Sequence, residues 1–173
     1  MKLRLMAVNL IFHGDDLLLM KRAAEREFLP GMWAAVGGHL DPNELKDPQA
    51  ACLRETEEET GFPPRDLQDI HLQYILLRRK DDELRQQFFY VSRTERRDFT
   101  DTREGTLHWI PKQDVLREDR EMAFVFRSLL EHYFRVGPSP YPWVGTAGWT
   151  DADHTEALPP EVHWIPLLDP ARI

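Results

Sequence analysis

The chain has 173 residues, 42% hydrophobic and 30% charged, which supports one well-cored domain with an appendage and excludes two ordinary domains. Its 30 Asp and Glu against 22 Lys and Arg give a net charge of −8, which excludes a general nucleic-acid or anionic-membrane binder, since both need basic surface. Cys52 is the single cysteine, so no intrachain disulfide forms. No apolar run approaches the roughly 20 residues that span a bilayer, and Asn9, His13 and Asp15-Asp16 interrupt any signal-peptide core. The expectation is a cytoplasmic protein.

Leu3–Phe12 reads as a strand and Leu17–Lys21 as a second, with His13-Gly14-Asp15-Asp16 as the turn between them. Lys21 and Arg22 close this hairpin, where they either face a phosphate or keep an edge strand soluble. Glu25–Gly31 is a polar loop ending in proline and glycine. Trp33, in the following Gly31–Val36 segment, reads either as core or as a platform for a substrate ring. Gly37 and Gly38 lack Cβ atoms, so a main-chain carbonyl there can approach a metal closely.

Asp47-Pro48 marks a helix start, a capping carboxylate followed by a proline whose missing N–H costs nothing at that position. Gly61 marks the end. Between them, helical spacing brings Glu55, Glu58 and Glu59 together, and such like-charged pairs repel by roughly 0.2–0.5 kcal/mol each. Glu58 and Glu59 also fall in the last turn, where the helix dipole is already negative. A hard divalent cation such as Mg2+ relieves both problems, and Arg54 can pair with Glu58 at i,i+4. A wet acidic surface is the plainer alternative.

Pro63-Pro64-Arg65-Asp66 breaks the chain, and Ile70–Arg79 and Gln86–Thr94 read as strands joined by a Lys80–Glu83 hairpin. Arg78, Arg79 and Lys80 form a basic spot that either receives a polyphosphate or stays solvated. A charged loop over Arg96–Glu104 leads to a strand over Leu107–Ile110 stopped by Pro111, and an apolar stripe predicts a helix over Asp119–Phe134. From Gly137 to Ile173 prolines forbid long helix and tryptophans argue against disorder. Short strands are expected over Trp143–Trp149 and Val162–Ile165, docked on the domain or on a second copy in a homodimer. The tetrapeptide His108–Pro111 recurs as His163–Pro166, and both copies read as apolar strands ending at proline. His39 and His154 show no metal-ligand spacing.

Gly38, Glu44, Arg54, Glu55, Glu58, Glu59, Gly61 and Phe62 together resemble the signature of the Nudix hydrolases, G-x5-E-x7-R-E-U-x-E-E-x-G-U, with U apolar. Nine residues rather than seven separate Glu44 from Arg54, and Thr56 stands where an aliphatic residue is usual. The extra two precede the Asp47 cap, so they should lengthen a loop. The lead-in from Gly31 through Trp33 to Gly37-Gly38 is similar to that of MutT-type members.

The resemblance implies an α/β protein, a Nudix-type α/β/α sandwich with a central mixed sheet over residues 1–136, followed by the docked extension 137–173. It implies hydrolysis of a pyrophosphate bond in a nucleoside diphosphate linked to another moiety, with Mg2+ as cofactor and Mn2+ able to substitute. On this reading Gly37, Glu55, Glu58, Glu59 and Glu104 hold metal, with Asp101 in reserve. Glu55 accepts the proton, with Glu58 beside it, and Arg54 and Glu44 orient the cluster. Lys21, Arg22, Trp33 and Arg78 are the candidates for a small nucleotide substrate.

The layout favours a MutT-like nucleoside triphosphate pyrophosphohydrolase. Ala34, however, stands where some oxidised-purine hydrolases place an asparagine. Leu76–Lys80 lacks the proline or tyrosine that marks ADP-ribose and dinucleoside polyphosphate subfamilies. Hydrolysis of either of those substrates stays open, as does a non-catalytic nucleotide sensor.

Overall fold

The computed structural model describes residues 1–25, 30–100, 102–148 and 160–169. A long strand, Lys2–His13 (β1), turns through Gly14 (φ 57°) into Asp16–Arg22 (β2), with Phe12 opposite Leu17. Short strands Trp33–Ala34 (β3) and Val36–His39 (β4) lead into the helix Pro48–Thr60 (α1). Strands Gln68–Lys80 (β5) and Glu83–Arg93 (β6) form a hairpin turning at Asp81, whose φ is 53°. Gly105–Pro111 (β7), the helix Phe124–Val136 (α2), Trp143–Gly148 (β8) and Glu161–Pro166 (β9) complete the order.

Among the described residues the strands join into one mixed sheet, ordered β3-β2-β1-β6-β5-β8-β9, with β4 also on β1 and β7 also on β2. The β1–β6 and β5–β8 pairs are parallel. Successive side chains of β1 point to opposite faces and feed separate layers. Val8, Leu10 and Phe12 pack with Phe126, Leu129, Leu130 and Tyr133 of α2. Ala7, on the other face, packs with Ala51 and Cys52 of α1. A strand apolar on both faces and a helix on each side give the expected α/β/α sandwich.

α2 begins five residues later than the apolar stripe predicts. The Trp33 N–H donates to the Glu121 carbonyl at 2.8 Å, and Met122 forms a parallel bridge with Trp33, so this stretch is used as a strand edge. Residues preceding it are wrapped around two arginines: Arg120 donates to the Asp114 and Val115 carbonyls, and Arg127 to those of Leu116 and Arg120. These ties hold residues 114–121 out of the helix.

The proline- and tryptophan-rich tail extends the sheet. β8 lies parallel on the outer edge of β5, with Tyr74 opposite Trp143, and β9 pairs antiparallel with β8. Gly145 is required there, because a Cβ would run into the Trp164 ring. That ring stands 5.0 Å from Tyr74 and 5.3 Å from His132, while the Tyr74 hydroxyl and His132 Nδ1 are 2.9 Å apart. β7 and β9, which carry the repeated tetrapeptide, both end at its proline. Trp149, expected to end one tail strand, lies outside the described residues, as does His154.

Candidate active site

α1 is bounded as its sequence dictates. Asp47 accepts the Ala50 N–H at 3.2 Å, Pro48 fills the first turn, and Gly61 adopts the left-handed conformation while its N–H caps the Glu57 carbonyl. This fixes the helix register and therefore the face that carries the glutamates.

Arg54 organises that face. Its guanidinium grips Glu44 with both nitrogens of the fork, Nε to Oε1 at 2.8 Å and Nη2 to Oε2 at 2.9 Å. Nη1 donates to Glu55 at 2.8 Å and to Glu58 at 3.3 Å, and Nη2 also reaches the His39 carbonyl at 3.0 Å. Glu44, only 7% exposed, takes a further bond from the Asp41 N–H, and its carboxyl is held below the usual range chiefly by the Arg54 bond. The two extra residues leave this contact intact. Turns closed by Glu44 N–H to Asp41 and Asp47 N–H to Glu44 absorb them, and Leu45 is left 56% exposed.

Glu59 is 8% exposed and accepts the Gly37 N–H at 2.9 Å. Burial pushes its carboxyl up to about 7, and the charges of Glu55 and Glu104 add to that, against the Gly37 bond and Arg22. Glu55 is half-buried and shifted upward mainly by burial, with Arg54 opposing. Gly37 holds φ 146°, and a Cβ there would strike the Ala7 carbonyl and Val8 backbone. At Gly38 a Cβ would come within 2.4–2.6 Å of the Glu55 carboxylate, so that carboxylate packs closely on the β4 backbone.

A cleft of about 660 Å³ opens over these groups. It gathers Glu55, Glu58 and Glu59 from α1, Gly37 from β4 and Glu104 from the loop before β7. Glu104 lies 3.8 Å from Arg22, and its carbonyl accepts the Ala23 N–H, which ties the loop to β2. Arg22, Trp33 and Arg78 line the same cleft, and Arg120 stacks over Trp33 at 4.8 Å. Lys21 does not line it: it is exposed on β2, because strand alternation turns it away from its neighbour Arg22. Asp101 lies outside the described residues.

Among the described residues no three His, Cys, Asp or Glu side chains stand together as a ready-made metal-binding group. The carboxylates are instead engaged by Arg54 and by the Gly37 N–H. The donor set nevertheless fits a hard cation. It consists of oxygens in negative surplus, and burial, with the charges of Glu55 and Glu104 adding to it, raises the Glu59 carboxyl to about 7.

The structure also explains Thr56. Its buried hydroxyl donates to the Cys52 carbonyl at 2.7 Å and accepts from Asn9 Nδ2 at 3.1 Å, while Asn9 Oδ1 accepts from Ser92 at 2.9 Å. An aliphatic residue there would strand the Asn9 amide. Gln87 and Phe89, both lining the cleft, are residues that sequence reasoning missed. Only their placement across the sheet from Met6 and Val8 marks them, and that register is not visible in the chain order.

A NUDIX-domain family model matches residues 3–133. The chain belongs to the Nudix family. It is thus a Nudix hydrolase, of the family that acts on nucleoside diphosphate derivatives. No curated protein matches it. Among solved structures it is similar to a MutT protein from Bacillus halodurans, with 21% identity and a TM-score of 0.70 over 92% of this chain and 97% of that one. It is similar to a C. elegans Ap4A hydrolase (21%, TM-score 0.62, 76% and 96% covered). The NUDIX domain of Shewanella oneidensis NrtR, complexed with ADP ribose, matches at 21% and TM-score 0.60 over 78% and 86%. At these identities the likeness is one of fold. Coverage of 92% exceeds the share of the chain preceding Gly137, so the first match runs into the tail. No helix among the described residues is long and apolar enough to cross a membrane.

Proposed function

We infer that this Nudix hydrolase is a Mg2+-dependent, MutT-like nucleoside triphosphate pyrophosphohydrolase. The observation that carries the reading is the Arg54 fork, which joins Glu44 to Glu55 and Glu58 at the mouth of a nucleotide-sized cleft. Glu55, Glu58, Glu59, Glu104 and the Gly37 carbonyl would hold the cation, and Mn2+ can replace Mg2+ at oxygen donors. When bound, such a cation polarises phosphoryl oxygens and lowers the pKa of water.

The chain's own residues supply position and proton transfer. Glu44 and the backbone of β4 fix Arg54, and Arg54 fixes the orientation of Glu55. Glu55 is the proton acceptor, since burial raises its basicity while Arg54 keeps it oriented. The Gly37 N–H holds one oxygen of Glu59, which leaves the other for the cation.

A panel of nucleoside triphosphates, ADP-ribose and dinucleoside polyphosphates, assayed with Mg2+ for released phosphate and pyrophosphate, tests the reading. Pyrophosphate from a triphosphate, abolished by chelator, is expected. Turnover confined to ADP-ribose or a dinucleoside polyphosphate would reject the triphosphate assignment, and activity indifferent to chelator would reject the metal.

A further inference from the structure

Glu104 reaches the cleft from the stretch between β6 and β7, residues 94–104, where the described residues form no helix or strand. A carboxylate on such a loop is only as well placed as the loop's anchors. One anchor is the Glu104 carbonyl itself, which accepts the Ala23 N–H at 3.0 Å and fixes the far end on β2.

The second anchor is the C-terminal end of α1. Arg96 Nη1 donates to the Gly61 carbonyl at 3.2 Å and to Asp66 Oδ2 at 3.1 Å, in the short turn Pro64–Asp66. Its Nη2 donates to Asp98 at 3.3 Å, and the guanidinium lies over the Phe62 ring at 5.3 Å. Further along, the Thr100 N–H donates to the Thr60 carbonyl at 2.9 Å. Thr100 Oγ1 rests where a Cβ on Gly61 would strike it. Phe99, between them, packs against the cluster that contains Phe62 and Leu67.

These contacts complete the helix as well as the loop. The last turn of α1 holds Glu57, Glu58 and Glu59 and no basic residue, so its negative carbonyl end receives no cation from the helix itself. Arg96 supplies one from 35 residues beyond Gly61, and the loop's donors satisfy the Thr60 and Gly61 carbonyls that the helix leaves open. Gly61 is thus both the left-handed end of α1 and the surface on which Thr100 sits.

Thr100 and Glu104 are four residues apart, no more than about 14 Å of chain. The Glu104 charge acts on Glu59 across the cleft, and two carboxylates held that way repel. Arg22 at 3.8 Å offsets part of the repulsion, and the two anchors keep the loop from carrying Glu104 away.

We propose that Arg96 is a positioning residue for the metal site: by pinning the loop to the C-terminal end of α1, it holds Glu104 in register with Glu55, Glu58 and Glu59. This rests on the reading of Glu104 as a cation-holding group and adds the residue that places it.

The test titrates the full chain with Mn2+ alone, without nucleotide, by calorimetry, and follows amide hydrogen exchange in the metal-free protein. Arg96→Met weakens Mn2+ binding about tenfold, the scale of losing a group that orients a ligand, and Glu104→Gln weakens it at least as much. In the Glu104→Gln background Arg96→Met adds less than about twofold, because it acts through that carboxylate. Without metal, the Thr100 amide exchanges faster in Arg96→Met than in the parent. Asp66→Ala, which loosens Arg96 from the other side, gives the same pattern and serves if Arg96→Met fails to fold. A lower melting temperature with unchanged Mn2+ affinity would make Arg96 a structural clasp and overturns the proposal. So does a loss that adds in full to that of Glu104→Gln. If the parent binds no Mn2+, or Glu104→Gln binds it as the parent does, the metal reading of Glu104 fails and the proposal with it. If Glu104→Gln weakens binding and neither Arg96→Met nor Asp66→Ala does, the proposal alone fails.

Discussion

Arg54 and Glu44 face each other fork to fork, two hydrogen bonds of 2.8 and 2.9 Å closing across a ten-residue separation. The carboxylate is buried, so its charge has little water to fall back on. Lysine cannot span two oxygens and three further acceptors with one ammonium. Arg54→Lys keeps the charge but leaves acceptors unmet, and should therefore lower stability by roughly 1–3 kcal/mol. It should lower kcat by about tenfold or more with KM little changed, because Glu55 loses its orientation. Chemical denaturation and steady-state kinetics check both. An unchanged kcat would mean that Arg54 is a structural clasp only.

Glu59 gives a pH signature. Its folded carboxyl titrates near 7, above its value in the unfolded chain, so the folded state binds the extra proton between the two values. Stability is thus greatest below about pH 4.5 for this group and is lost as pH rises through 7. Glu59→Gln keeps an acceptor for the Gly37 N–H and removes the charge. In chelator at pH 8 it should be more stable than the parent, by on the order of 3 kcal/mol at most, and the gain should vanish near pH 4. Thermal melts across pH would show it, and a destabilised variant at pH 8 would contradict it. With Mg2+ the same variant should lose kcat by orders of magnitude.

Removal of Leu45 and Lys46 restores the family spacing. Both side chains are exposed and the loop is local, so the deletion should cost no more than about 1 kcal/mol, loop length entering only logarithmically. Activity should be largely retained. Loss of metal binding, followed by calorimetry, would show that these two residues position Glu44.

Thr56→Val tests the buried polar chain at the other side of α1. It removes the acceptor for Asn9 Nδ2 and should destabilise by about 1–3 kcal/mol. Adding Asn9→Leu and Ser92→Ala should recover part of that loss, since no polar atom is then stranded. A fully additive combination, read from urea melts, would show that the three residues are not coupled.

Local chemistry made α1 legible: Asp47, Pro48 and Gly61 set both ends without help from the rest of the chain. The same holds for the glutamate face and for Arg54, whose carboxylate partners lie within the helix or the loop before it. What escaped reading is long-range. The late start of α2 depends on Trp33, nearly 90 residues upstream, and Thr56 makes sense only beside Asn9 of β1. Gln87 is an unremarkable polar residue in its own strand until the β5–β6 register sets it beside Arg78. Lys21 and Arg22 read alike in sequence, and only the pleat separates them.

The parallel pairing of β8 with β5 also bears on biosynthesis. Tyr74 waits for Trp143, so while the ribosome is still extending the chain β5 presents a row of open backbone groups on a folded sheet. Until β8 is synthesised, that row is a template for any passing strand. A chain interrupted after Val136 should therefore associate in a concentration-dependent way, and a chaperone that shields strand edges would matter most during that interval.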